Sequence, residues 1–246
     1  MPQLKIDFTR HGHSCANMAE EHGGRGLYLK FREKDPRLSA LGLAKAEEVA
    51  IDIKNTNPQG LIGVVPDVVM SSGLSRAIQT AYIMWPQASK IIVAPFLLEH
   101  GFDTENKPPA DSNTQSTILA QHFPLLPAKL KRYEQSSTAP GDLAKFMIWL
   151  RSSFLGHLSG THDIVIAVVT HSRLMHTDLQ LSTKPANQSI YRVAIDFDVW
   201  NQFQRPLVIK TQATIIYKGI TLKQLTKQQI RQYEKESTDC QWFGKM

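Results

Sequence analysis

Leu4-Lys5-Ile6-Asp7-Phe8-Thr9-Arg10-His11-Gly12, residues 4–12, alternates apolar and polar side chains and then stops on a cation, an imidazole and a glycine. A period of two is that of a β-strand, so the segment predicts a short strand with His11 at its carboxyl end. Two other segments follow the same plan. Val64 to Met70 is apolar and valine-rich, runs into Ser71-Ser72-Gly73, and is followed by helical spacing over Leu74 to Met84. Asp163 to Thr170 is strongly apolar, stops at His171, and gives way to helical spacing over Ser172 to Leu181. This recurrence of strand, turn and helix predicts an α/β fold, a three-layer α/β/α sandwich with a mostly parallel central sheet. Ligands of such sheets sit in the crevice at the carboxyl ends of the strands.

The remaining elements are read outward from these three. Ser14 to His22 opens a helix that Gly23-Gly24-Arg25-Gly26 breaks, with a loop through Asp35-Pro36. Ser39 is placed to cap a helix whose apolar positions include Leu41, Leu43, Ala46, Val49 and Ala50. Ile91-Ile92-Val93 and Ile190 to Val199 read as strands, Leu143 to Leu158 as a helix, and Leu222 to Glu236 as a polar terminal helix. Thr104 to Ser116 is polar, contains Lys107-Pro108-Pro109, and reads as a surface excursion. A single domain over 1–246 is expected, with a lid at 100–140 and a C-terminal extension at 205–246.

Composition narrows the function classes. With 246 residues, 42% apolar and 20% charged, the chain has the profile of a globular protein and excludes disorder. Cys15 and Cys240 lie near opposite ends, supply neither a disulfide framework nor a four-thiolate zinc site, and lead to the expectation of a reducing cytoplasm. The longest apolar run, Ile164 to Val169, is far short of the ~20 residues that cross a bilayer, and Met1-Pro2-Gln3-Leu4-Lys5 opens no export-signal pattern. Neither a membrane span nor a nucleic-acid partner is expected, because the basic residues are scattered with no run longer than Lys131-Arg132. The formal charge of +6 suits an anionic substrate. His171 and His176 lack the i, i+4 spacing of a zinc-binding helix, and the His11/His13 pair faces one way only if the strand runs through Gly12, so no metal and no cofactor is expected.

If the three strands are neighbours, Arg10, His11, Arg76 and His171 converge on one crevice, beside helices whose N–H groups point into it. Gathered positive charge among buried strands has a physical reason only if an anion binds there. Arginine grips phosphoryl oxygens in a bidentate way that lysine does not reproduce.

Thr9-Arg10-His11-Gly12-His13-Ser14-Cys15-Ala16-Asn17 resembles the Arg-His-Gly signature of the histidine phosphatases, the phosphoglycerate-mutase-like superfamily. Asp35-Pro36-Arg37-Leu38-Ser39-Ala40-Leu41-Gly42, Ser71-Ser72-Gly73-Leu74-Ser75-Arg76-Ala77-Ile78-Gln79-Thr80-Ala81 and Val168-Val169-Thr170-His171-Ser172 resemble its further motifs, in order, over roughly residues 3–200. The resemblance implies a phosphoglycerate-mutase-like fold and a phosphohistidine at His11, with Arg10, Arg76 and His171 holding the transferred oxygens and Asn17 helping to bind phosphate. It implies Glu99 as proton donor to the leaving group, with Asp103 and Glu105 as alternatives. The implied substrate is a phosphorylated small molecule, with a phosphoprotein as alternative, and the oligomeric state is open.

Two departures separate this chain from the mutase branch. Met18 to Arg32 contains no Trp, where mutases carry a Trp- and Asp-containing stretch, and His100-Gly101-Phe102-Asp103 stands in place of their substrate-enclosing motif. Both favour a phosphatase over a cofactor-dependent phosphoglycerate mutase. A non-catalytic phosphate-binding or phosphoprotein-binding module is the third reading, and the pairing of His11 with His171 speaks against it.

Overall fold

The computed structural model describes residues 1–21, 34–55, 65–100, 106–108, 112–133, 140–202, 213–219, 225–236 and 240. Seven strands form one sheet: β1 (Gln3–Arg10), β2 (Val68–Ser71), β3 (Ile91–Val93), β4 (Leu130–Arg132), β5 (Ile164–Thr170), β6 (Ile190–Asp196) and β7 (Thr214–Tyr217). Their order is β4-β3-β2-β5-β1-β6-β7, and β6 alone runs against the others. The expected α/β fold with a mostly parallel sheet is the observed one.

Both faces of the sheet are covered, and the sequence pattern of the central strands follows from that. In β5, Ile166 and Val168 join one core cluster while Ala167 and Val169 join the other. The first cluster packs Leu4, Ile6 and Phe8 of β1 against Phe146, Met147, Met175 and Trp200. The second packs β2 and β3 under Val49, Ile78 and Ala81. Asp7, the acid inside β1, is accounted for by its register partner on β6: Arg192 donates Nε and Nη2 to its two oxygens at 2.7 and 2.8 Å.

Helices connect the strands. Residues 15–21 are helical (α1), and α2 (Ala40–Asn55) begins one residue after Ser39, whose Oγ accepts from Gly42 N–H at 3.2 Å as an N-cap should. Gly42 is required there, because a Cβ would overlap the His13 carbonyl. α3 (Ser75–Met84), α4 (Ser112–His122), α5 (Leu126–Lys129), α6 (Leu143–Trp149) and α7 (Ser172–Asp178) follow. α6 widens into a π-helical stretch, Leu150–Leu155, that ends at Gly156 with a φ of 65°.

Four expectations need correction. The strand expected over Ile190 to Val199 ends at Asp196, and Phe197–Gln202 is a helix (α8), because Phe197 and Trp200, three apart, both enter the first core cluster. Leu130–Arg132, within the 100–140 segment, adds the edge strand β4, whose Leu-Lys-Arg carries no apolar pattern of its own. The 205–246 segment contributes the strand β7, hydrogen-bonded to β6, while the polar terminal helix expected over Leu222 to Glu236 is present as α9 (Lys227–Glu236), which packs on α2. Cys15 and Cys240 are joined in a disulfide, so separation along the chain said nothing of distance in space, and the cytoplasmic expectation loses the observation it rested on. No helix among the described residues is long and apolar enough to cross a membrane.

Candidate active site

β2, β5 and β1 lie side by side and parallel, with Arg10 level with Thr170 and Ser71 level with Val169. Their carboxyl ends therefore deliver Ser72, His171 and His11 to one crevice. α3 starts immediately after β2 and carries Arg76 in its first turn, 4% exposed. The His11 and His171 rings stand 5.0 Å apart between centroids, and Arg76 Nε donates to His11 Nε2 at 3.3 Å. His11, Ser72, Arg76 and His171, separated by up to 160 positions of sequence, meet in one crevice, and three of them belong to the set the strand reading named.

Hydrogen bonds define the protonation of the nucleophile candidate. His11 Nδ1 lies 2.6 Å from the Gly12 carbonyl oxygen, which can only accept, so Nδ1 carries the proton and Nε2 presents its lone pair. Burial is the first cause that holds the His11 pKa well below 6.5, and the charges of Arg76 and Arg10 add to it. His171 is lowered for the same reasons, burial first and Arg76 second. Both rings are neutral at physiological pH.

Two buried nitrogens at the site have no hydrogen-bond partner among the described residues: Arg10 Nε and His171 Nδ1. The other ends of these side chains are anchored. Arg10 Nη1 donates to the Pro185 carbonyl at 2.8 Å, and His171 Nε2 meets Ser72 Oγ at 2.8 Å. Burial brings the Arg10 guanidinium down to about 10, with the charges of Glu99, Glu21 and Glu20 opposing the fall, so it stays cationic. Arg76 is also lowered by burial, against the opposing charges of Asp35 and Glu99.

Glu99 sits where the chain passes α7, its carboxylate accepting N–H groups of His100 (3.1 Å), Arg173 (3.3 Å) and Leu174 (3.1 Å). Three accepted bonds leave one lone-pair direction of the carboxylate open. Asp103 and Glu105 lie outside the described residues. Arg173, the second residue of α7, is exposed and donates to the His100 carbonyl at 3.5 Å. Asn17 and Ser14 form a reciprocal cap on α1: Asn17 Oδ1 accepts from Ser14 N and Oγ at 3.1 Å, and Ser14 Oγ accepts from Asn17 N at 3.3 Å. Its oxygen is thus engaged in the helix cap, which leaves Nδ2 as the donor for a ligand. His13 is held between Ser39 Oγ (2.7 Å) and Glu21 (2.8 Å).

Sequence reasoning missed several residues of this crevice. Asn106, from the polar 104–116 stretch, is 7% exposed and accepts from Arg76 Nη2 at 2.9 Å. Asp35 accepts from Ser75 N–H and Oγ–H, both at 2.7 Å, which caps α3 beneath Arg76, and Gln115 donates to Asp35 at 2.8 Å. Asn187 Nδ2 donates to the His11 carbonyl at 3.0 Å. None has a partner close in sequence, so no local pattern marks it. The one available signal was Asp35, which opens a motif already quoted.

The chain belongs to the histidine phosphatase superfamily (branch 1), whose family model matches residues 6–201. A mycobacterial structure, "Mycobacterial hydrolase 2", shares the fold at 15% identity and a TM-score of 0.50, over 96% of this chain and 99% of its own. Phosphoserine phosphatase from Entamoeba histolytica, solved with 3-phosphoglyceric acid, aligns at 18% identity and a TM-score of 0.42, over 77% of this chain and 89% of its own. Ecdysone phosphate phosphatase from Bombix mori, solved with tungstate, aligns at 15% identity and a TM-score of 0.44, over 78% and 92%. No curated protein sequence matches the chain.

Proposed function

We propose that this chain is a metal-independent phosphomonoester hydrolase acting through a phosphohistidine at His11. The observation that carries the reading is a neutral imidazole whose Nε2 lone pair faces the Arg76 guanidinium, beside two buried, unpartnered nitrogens on Arg10 and His171. A buried polar group without a partner costs about 1–3 kcal/mol, and a phosphoryl group seated between Arg10, Arg76 and His171 satisfies both.

In the first step His11 Nε2 attacks phosphorus, the P–O ester bond breaks, and the departing oxygen takes its proton from Glu99. In the second, water attacks the phosphohistidine, gives its proton to Glu99, and the P–N bond breaks to release inorganic phosphate and free His11. The fixed cations serve the equatorial oxygens, which is the largest requirement of phosphoryl transfer. The missing mutase motifs after Asn17 and Glu99 support hydrolysis over isomerisation, and the substrate class is a phosphorylated small molecule. Closure of 100–140 over the crevice belongs to the same proposal, supported by Asn106 on Arg76. The Cys15–Cys240 bond supports an oxidising compartment over a reducing one.

Purified protein in excess chelator should release phosphate from p-nitrophenyl phosphate, and His11→Ala should lower kcat at least about a thousandfold. An equally active His11→Ala variant would remove the mechanism. A rate that requires added divalent metal would remove metal independence.

A further inference from the structure

Beside Arg10 lies a cavity of about 440 Å³, lined among others by Arg10, Asn17, Glu20, Glu21, Lys45 and Asn187. It adjoins the phosphoryl site through shared walls: Arg10 lines it and keeps a buried, unpartnered Nε, and Asn187 also holds the His11 carbonyl. A phosphate needs only a fraction of that volume, which is of the size that takes a small molecule.

The charges in the cavity are unevenly committed. The Lys45 ammonium is occupied by Glu48 at 2.6 and 2.7 Å, and Glu48 is not part of the lining. His13 is held between Ser39 and Glu21. Glu20 is exposed on α1, and both it and Glu21 stand close enough to Arg10 to oppose the effect of burial on its guanidinium. The cavity therefore has a cationic end that takes the phosphoryl group and a carboxylate rim beyond it. A substituent bearing a second anion would meet like charge there, and one bearing a cation would meet its complement.

The C-terminal segment helps to build this wall. Gly219 N–H donates to Ser189 Oγ at 3.1 Å, and Gly219 lies so close to the Asn187 carbonyl that a Cβ would overlap it. Leu225 closes a further part of the lining.

We propose that this cavity is the leaving-group pocket and that it selects small phosphomonoesters whose alcohol carries an ammonium group, with Glu20 as the selecting residue. The proposal rests on the hydrolase reading above.

Three small esters of differing charge test it: phosphoethanolamine (ammonium), 2-hydroxyethyl phosphate (neutral) and phosphoglycolate (carboxylate). The ratio of kcat/KM for phosphoethanolamine over phosphoglycolate should be at least about fivefold, the scale of one exposed ion pair gained against one repulsion. Glu20→Lys should bring that ratio below one and Glu20→Gln should place it between. Intrinsic differences among the alcohols cancel when each variant's ratio is divided by that of the wild type. A wild-type ratio of one or less, or a ratio unmoved by Glu20→Lys, overturns the pocket assignment. Calorimetric binding of the same three esters to His11→Ala should give the same order without any turnover, and equal affinities there overturn the assignment too. If the neutral ester is hydrolysed and His11→Ala is silent while the ratio is one, the hydrolase reading stands and only the pocket falls. If His11→Ala hydrolyses all three, the hydrolase reading falls and the binding order alone decides the pocket.

Discussion

The proposed phosphoryl transfer makes two demands of His11 that oppose each other in water: neutrality to attack phosphorus, and a place among cations that hold a dianion. Burial resolves the conflict, because desolvation and the neighbouring guanidiniums act on the imidazole in the same direction. The same shift has a consequence for stability. His11 and His171 both titrate well below 6.5 when folded, so below that pH the unfolded chain binds protons that the folded chain does not. Their contribution is therefore undiminished above about pH 7 and falls as pH drops from 6.5 toward the lowered values, by up to about 1.4 kcal/mol per pH unit for each ring. Urea unfolding between pH 7.5 and 5.5 should show this slope, and His171→Asn should remove about half of it; an unchanged slope in that variant would contradict the assignment. Arg76 is the second residue whose shape matters as much as its charge. It spans His11 Nε2 and Asn106 Oδ1 with different nitrogens, which an ammonium cannot reproduce. Arg76→Lys is expected to lower kcat/KM by about 10²–10³, measured with p-nitrophenyl phosphate; a loss under threefold would mean that charge alone suffices.

Among the elements, α1 has the most to hold in place. It follows the segment that carries His11, begins with the Ser14–Asn17 cap, carries Glu20 and Glu21, and is tied through Cys15 to Cys240 at the far end of the chain. Cys240→Ser should lower stability by about 2–5 kcal/mol, in the range for a disulfide that closes a long loop, and a reducing agent should reproduce the loss in the wild type. Denaturation curves of the two proteins that coincide with and without reductant would show that the bond does not form. The elements legible in advance were those with a strong local pattern. The alternation of β1, the apolar runs of β2 and β5, and the Ser39 cap of α2 all announce themselves within a few residues. β4 did not, since Leu130-Lys131-Arg132 has a single apolar residue, and β7 takes its place from the strand beside it. The hidden part of the site has the same cause: Asn106, Asp35 and Asn187 take their roles from partners 30, 40 and 176 positions away.

At the scale of the molecule, the order β2-β5-β1 at the centre of the sheet is what turns separated motifs into a site. Each of these strands ends in a residue that the apolar pattern does not require, and parallel pairing places those endings side by side. The flanking β6 and β7 serve a different purpose. They bring the 185–189 loop onto the backbone of Arg10, where Gln188 N–H donates to the Arg10 carbonyl and Arg10 N–H to that of Ser189, both at 3.0 Å. We read 1–246 as one folding unit on that basis, since the C-terminal segment supplies a strand, a cavity wall and half of a disulfide. The central claim is that this assembly carries a phosphoryl group on one nitrogen. Rapid acid-free quenching of the enzyme with a ³²P-labelled phosphomonoester, followed by peptide mapping, measures it directly. The account predicts an alkali-stable, acid-labile label approaching one per chain on the peptide that contains His11. A catalytically active enzyme with no label at any quench time, or with its label on another residue, would contradict it.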